Sequence, residues 1–349
     1  ESVGRLEEMQ FLLDSIGYFE ANCLDINSLY LQKKPSLDFE KIIKLIQEHK
    51  FFINTQNQDG TTVLILAANQ GLVPVVRALL NLGADLHMAN MHGSALTWAI
   101  VGAQNKRNFT MHKVIELLIQ HGLDPNQGIN QSVPALIQAT ELNLLPIVTK
   151  LLDLNIDINV KDHTGKTALM VASSLGHDNI VLELMENGVD LHATDASCSN
   201  ALMYAVINQH EDIVNELVEN GINLNAQNNN GYTALMLAVD LGFVDIAKLL
   251  LEHNADPNVK DPSGKTALVI AAQKHCSSVI TALLLAGADD IEALHYLSSK
   301  GMIQEKQFIE KHIRKANVKQ ANVIFSQRQP SDAQLNETQS ATGSKKLQP

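Results

Sequence analysis

Thr167-Ala168-Leu169-Met170-Val171-Ala172, Asn200-Ala201-Leu202-Met203-Tyr204-Ala205 and Thr233-Ala234-Leu235-Met236-Leu237-Ala238 are one phrase written three times. The leucines stand at 169, 202 and 235, a step of 33 residues. Behind each phrase comes an apolar pair at the same step: Ile180-Val181, Ile213-Val214 and Ile246-Ala247. Each block closes on a similar string: Gly188-Val189-Asp190-Leu191-His192, Gly221-Ile222-Asn223-Leu224-Asn225 or Asn254-Ala255-Asp256-Pro257-Asn258. A fixed period of this length marks a stacked helical array, in which each unit buries its apolar side only against its neighbours.

Outward from this stretch the marker leucine recurs as Leu64, Leu96, Leu136 and Leu268. Seven units, with half a unit before them, then fill 38–290. The step from 64 to 96 is one residue short, and the step from 96 to 136 is seven long. The excess falls around Ala103–Thr110, in a turn between helices. Each unit is expected to hold two antiparallel helices and a protruding hairpin turn. Pro74 and Pro146 fall in the first turn of second helices, where a missing N–H costs nothing. After the second helix comes Gly83, Gly122, Asn155, Gly188, Gly221, Asn254 or Gly287. Only Gly, or less readily Asn, accepts the left-handed conformation that ends a helix there.

The period of 33 and the Thr-x-Leu-x-x-Ala phrase resemble the ankyrin-repeat family. The resemblance implies an all-α ankyrin solenoid that works as a protein-binding scaffold across its concave face. Contacts would come from the hairpin tips: Gln58, Asp59 and Thr61; Met91 and His92; His163, Thr164 and Lys166; Ser197 and Ser199; Asn229, Asn230 and Tyr232; Ser263 and Lys265. First-helix positions Ser174, Asp240 and Lys274 would join them. His163 and Tyr232 are the preferred anchors, since aromatic side chains are enriched among binding hot spots. Ser199 is expected to be an exposed turn residue. Lys166, Lys265 and Lys274 stand as islands of positive charge, which favours an acidic partner segment. Asp157-x-Asn159, with Leu151 eight residues before the asparagine, resembles the site that a cytosolic asparaginyl hydroxylase modifies in animal ankyrin proteins.

The flanks do not repeat. Residues 1–37 are expected to form an N-terminal helical cap, 291–326 a C-terminal helical cap and 327–349 a disordered polar tail. The 349 residues are 45% hydrophobic with a net charge of −12, so nothing pulls them toward phosphate backbones and nucleic acid is a poor partner. No apolar run approaches a membrane span, and Glu1-Ser2-Val3-Gly4-Arg5 opens nothing like a signal peptide. Cys23, Cys198 and Cys276 are odd in number and lack metal-ligand spacing, as in a reduced, cytoplasmic protein. A monomer is expected.

Three candidate chemistries fall away. Gly165-Lys166-Thr167 and Gly264-Lys265-Thr266 imitate the end of a phosphate-binding loop, but Val160 and Val259 occupy the place of its first glycine. His87 and His192 take positions held by Asn in sister units, and no histidine pair has zinc-site spacing with a carboxylate between. An enzyme built on the flanks or on Cys198 would need convergent groups in a cavity, and the repeats leave little chain for one. No enzyme, cofactor or metal is therefore expected. The prominence of Asn, Gln, Ile and Lys, with a Ser-Thr-Gln tail, also resembles secreted effectors of intracellular bacteria that bind or sequester a host protein in host cytosol. That is the alternative to a resident scaffold.

Overall fold

In the computed structural model the described residues are 43, 44, 47, 53–57, 59–104, 108–126 and 133–327, with side chains described to 315 apart from 108 and 109. The expected N-terminal cap, the polar tail beyond 327, and Gln58 lie outside them. Two compact units divide the chain after Asn229.

Up to Asn229 the chain alternates short first helices and longer second helices. These are α1 (Val63–Asn69) and α2 (Val73–Asn81), α3 (Ala95–Ala103) and α4 (Asn108–Gln120), α5 (Ala135–Glu141) and α6 (Leu145–Asp153), α7 (Ala168–Leu175) and α8 (Asp178–Glu186), α9 (Ala201–Ile207) and α10 (Glu211–Glu219). First helices pack on first helices and second on second. The marker leucines Leu64, Leu96, Leu136, Leu169 and Leu202 are buried in those contacts, as are Val75-Val76, Ile147-Val148, Ile180-Val181 and Ile213-Val214. The periodic phrase is therefore the core itself. Its opening polar residue caps the helix: the side chains of Thr62, Thr167 and Asn200 accept from Ile65, Met170 and Met203 N–H. Asn155 holds φ 54°, as its place in the pattern requires.

The insertion is spent partly as helix. α4 has 13 residues, whereas α2, α6, α8 and α10 have nine each. The one-residue deletion ahead of it is accompanied by a short antiparallel ladder, β1 (Ala89–Asn90) with β2 (Gly93–Ser94), in register Ala89 to Ser94.

The unit from Asn230 holds α11 (Ala234–Leu241), α12 (Val244–Glu252), α13 (Ala267–Gln273), α14 (Ser277–Leu285), α15 (Asp290–Ser299) and α16 (Ile303–Gln327). Here too Thr233 caps its helix, and Asn254 is left-handed at φ 67°. α15 and α16 pack on α13 and α14 as a further helix pair with no hairpin before it. Ala293, Leu297 and Ile309 are buried there, and the Phe308 ring meets His275 edge-on at 5.3 Å.

The turn between α7 and α8 adds a pH dependence. His177 Nε2 is buried with no hydrogen-bond partner among the described residues. Burial first, and then His210, hold its pKa below the ordinary value, against Asp178 and a backbone bond to Glu141. Burial and Lys150 lower His112 likewise. With a depressed folded-state pKa, the unfolded chain takes the proton first. Their contribution is fully present above about pH 6.5 and is lost as pH falls through the folded value. The urea midpoint is expected to drop between about pH 7.5 and about pH 5, and to drop less in His177→Asn. Identical drops would remove His177 from the account.

Candidate protein-binding surface

The hairpins are built around one polar side chain at the base of each. Asp162 Oδ1 accepts from Thr164 N–H at 2.8 Å, Thr164 Oγ1 at 2.7 Å and Lys166 N–H at 2.9 Å. Asp195 Oδ1 does the same for Ser197 N–H, Ser197 Oγ and Ser199 N–H. In the second unit Asp261 accepts from Ser263 N–H, Ser263 Oγ and Lys265 N–H. These bonds favour the ionised form. They hold Asp162 and Asp195 below the ordinary carboxylate value although burial, the largest single effect, works the other way. In the two earlier hairpins an asparagine takes the role. Asn57 Oδ1 accepts from Asp59 and Thr61 N–H, and Asn90 Oδ1 from His92 and Gly93 N–H.

Successive hairpins are also fastened to each other within the first unit. Ala196 N–H donates to Thr164 O at 3.1 Å, and Asn229 N–H to Ser197 O at 2.8 Å. Asn229 Nδ2 donates to Ala196 O, and Lys161 Nζ to Thr194 O. Deeper in the turns, Asn54 and Asn159 Oδ1 each accept the N–H of an aspartate 31 residues on, Asp85 and Asp190. Asn258 does the same for Asp289 in the second unit. These asparagines occupy the repeat position that His87 and His192 hold in sister units.

The expected contact residues divide on this geometry. Asp59, His92, His163, Thr164, Ser197 and Asn229 are exposed in the first unit, and Met91 is 75% exposed. Asn230 and Ser263 are exposed and Tyr232 and Lys265 half-buried in the second. Thr61 and Ser199 are not outward residues. Thr61 is 9% exposed and accepts from Asn90 Nδ2, while Ser199 is 7% exposed and pairs its hydroxyl with Ser197 Oγ at 3.0 Å. The alternation along the hairpin turns them inward. Ser174 is half-buried and accepts from Asn208 Nδ2 at 3.1 Å.

The lysines are engaged as well. The Lys166 ammonium lies 4.7 Å from the centre of the Tyr204 ring, and Lys274 pairs with Asp240 at 3.1 Å. These two are not unmatched positive islands, and the expectation of an acidic partner segment loses their support.

Two aromatic residues belong to this surface although the sequence pattern passed over them. Trp98 and Tyr204 each stand two places after a marker leucine, on the side of the first helix that faces the hairpin. Trp98 Nε1 donates to Asn90 Oδ1, and His92 meets the indole edge-on at 6.1 Å. The Tyr204 hydroxyl donates to Asp195 Oδ2 at 2.6 Å; burial and this bond push its pKa well above the ordinary phenol value. Their signal was their spacing from the leucines, read together with their ring chemistry.

Among the described residues no three His, Cys, Asp or Glu side chains converge as metal ligands, and no helix is long and apolar enough to cross a membrane. Cys198 and Cys276 are free thiols. Helix pairs joined by protruding, carboxylate-anchored hairpins define a class of helical repeat scaffold. The family profile described as "Ankyrin repeats (3 copies)" matches residues 36–129, 106–195, 136–228 and 202–294, more than half of the sequence. The chain belongs to the ankyrin-repeat family. It is 32% identical over 114 residues to "Ankyrin repeat and SOCS box protein 6" of Mus musculus, a match covering 31% of this chain and 26% of that protein. The Homo sapiens protein of the same name gives the same identity, over 25% of its length. The match thus spans about a quarter of these curated relatives. Among solved structures, the ankyrin repeat domain of Bcl-3, titled a member of the IkappaB protein family, is similar at a TM-score of 0.58. Sequence identity is 30%, with 65% of this chain and 100% of that one covered. Ankyrin repeats form a protein–protein interaction domain, and the fold is typically a non-catalytic binding scaffold.

Proposed function

We propose that the chain binds a partner protein through the exposed tips of its hairpins and the neighbouring ends of its first helices. The observation that carries this reading is the prior order of the tips. Asp162, Asp195 and Asp261 each tie down three donors, so outward residues such as His163 and Ser263 stand ready without further ordering. A surface ordered beforehand loses less entropy on association.

The test is a titration of a captured partner. Changing His163, Tyr232 and Lys265 together is expected to abolish binding, and single changes to cost about 1–2 kcal/mol each. Deleting Lys106–Asn108, at the insertion, should leave affinity largely intact. Lost binding in the deletion with retained binding in the triple variant would transfer the function to the insertion.

The same reading serves a resident cytoplasmic scaffold and an effector that sequesters a host protein. The composition that suggests the effector changes where the partner is sought, and pull-downs from the two lysates separate them. Asn159 is the proposed hydroxylation site. Its N–H donates to Asp157 Oδ1 and its own Oδ1 holds Asp190, so the side chain is presented in one fixed orientation. Co-incubation with an asparaginyl hydroxylase should add one oxygen there by mass spectrometry, and an unmodified Asn159 peptide would refute the assignment.

A further inference from the structure

Charge is not spread evenly along this chain. Between Lys166 and Lys248 there are eleven Asp or Glu and no Lys or Arg. Between Glu310 and Asp332 there are five Lys or Arg and no Asp or Glu. Each stretch lacks the interspersed opposite charges that neutralise most protein surfaces locally, and the fold gives each one a helix face.

The basic stretch begins within α16. That helix has 25 residues and is about 37 Å long, whereas α14, on which it packs, has nine and is about 13 Å long. Its first half is seated: Ile309 and His312 are buried, and the Phe308 ring lies 5.3 Å from that of His275. Lys311, Arg314 and Lys315 are exposed, one helical turn apart. No ion pair holds any of the three among the described residues. The one carboxylate within a turn of them along the helix is the half-buried Glu310.

The acidic stretch supplies the complement. Asp212, Glu216 and Glu219 recur at each turn of α10, and Glu183 and Glu186 hold the places of the last two on the adjoining α8, 33 residues earlier. Glu186, Asp212 and Glu219 are exposed and the other two half-buried. The side-chain bonds that Glu183 and Glu219 accept come from neutral amides, Asn187 Nδ2 at 3.3 Å and Asn215 Nδ2 at 3.0 Å.

We propose that the exposed face of α16 docks on a second copy of this chain, with Lys311, Arg314 and Lys315 of one copy against the acidic stripes of α8 and α10 of another. Turn-spaced cations meet turn-spaced carboxylates when two helices lie side by side. Two copies at a net −12 repel as wholes, but salt at about 0.15 M screens that repulsion beyond about 8 Å, so the charges that face each other decide. The contact uses none of the hairpin tips and does not depend on the binding reading above. In place of the monomer expected from the sequence, it gives a salt-sensitive self-association.

Sedimentation velocity of the full chain, over a range of concentrations in about 0.05 M and about 0.5 M sodium chloride, is the test. The expected result is an average mass that rises with concentration at low salt and stays at one chain at high salt. Reversing the basic face (Lys311→Glu, Arg314→Glu, Lys315→Glu) or the acidic one (Glu186→Lys, Asp212→Lys, Glu219→Lys) should weaken association about tenfold or more. All six positions are exposed, and far-UV circular dichroism checks that each variant keeps its helices. The acidic-face variant carries less net charge than wild type, so general repulsion would make it associate more, whereas the proposed contact makes it associate less. Mixing the two variants should restore an association that neither shows by itself. A wild-type mass independent of concentration at low salt overturns the proposal, and so does self-association that survives either reversal. A loss in the basic-face variant that the mixture does not restore overturns it too, because α16 then docks elsewhere than on the acidic face of a second copy.

Discussion

Leu202→Ala is expected to cost about 2–5 kcal/mol of stability, the range for emptying a leucine site that cannot collapse. Leu202 is 0% exposed in α9, where that helix packs on α7, so its side chain serves two repeats at once. Stability in such arrays is a sum of repeat and nearest-neighbour terms, so weakening one contact unfastens the array at that point. Leu182→Ala, at a leucine 38% exposed on α8, is the comparison and should cost about 1 kcal/mol or less, since little area leaves water there. Urea unfolding monitored by circular dichroism measures both. Equal midpoints for the two variants would contradict the register on which the whole fold rests.

The second large effect is expected from the smallest substitution, Gly102→Ala. In a helix interior this exchange ordinarily stabilises by about 1 kcal/mol. Here a Cβ on residue 102 would fall 2.1 Å from the backbone oxygen of Asn69 and 2.8 Å from Met111 Cε. The methionine tip can move, but the Asn69 carbonyl belongs to α1 and cannot yield without shifting α1 from α3. The clash outweighs the propensity gain, and a net loss of about 1–3 kcal/mol follows, as for other overpacked cores. The same urea titration decides it. A midpoint equal to or above that of wild type would show that α1 and α3 do not approach each other as closely as described.

Much of this fold was legible because its determinants are local and recur. The leucines at 169 and 202, the apolar pairs and the left-handed Asn155 and Asn254 follow from a period and from one backbone conformation per repeat. The insertion could be located by counting, but its use could not: its partial conversion into the longer α4 depends on packing against α2 and α6. The surface was less legible for the same reason. Ser197 and Ser199 look alike in the sequence, yet one faces water and the other is held inside the turn by the Asp195 carboxylate. Lys166 reads as a free cation until Tyr204, contributed by the following repeat, supplies a ring for it. Asp162, Asp195 and Asp261 share the repeat's spacing, but only the geometry shows that they anchor the hairpins.

The hairpins of the first unit are joined to each other through main-chain atoms, from Ala196 N to Thr164 O and from Asn229 N to Ser197 O. A main-chain joint is blind to side-chain identity. His163 and Ala196, which project at these joints, can be exchanged for almost any residue without the scaffold registering the change. Under the binding mode proposed above, a lineage carrying this array can wander through new partners by altering a few outward codons, while the selection that keeps the chain folded acts on a different set of positions.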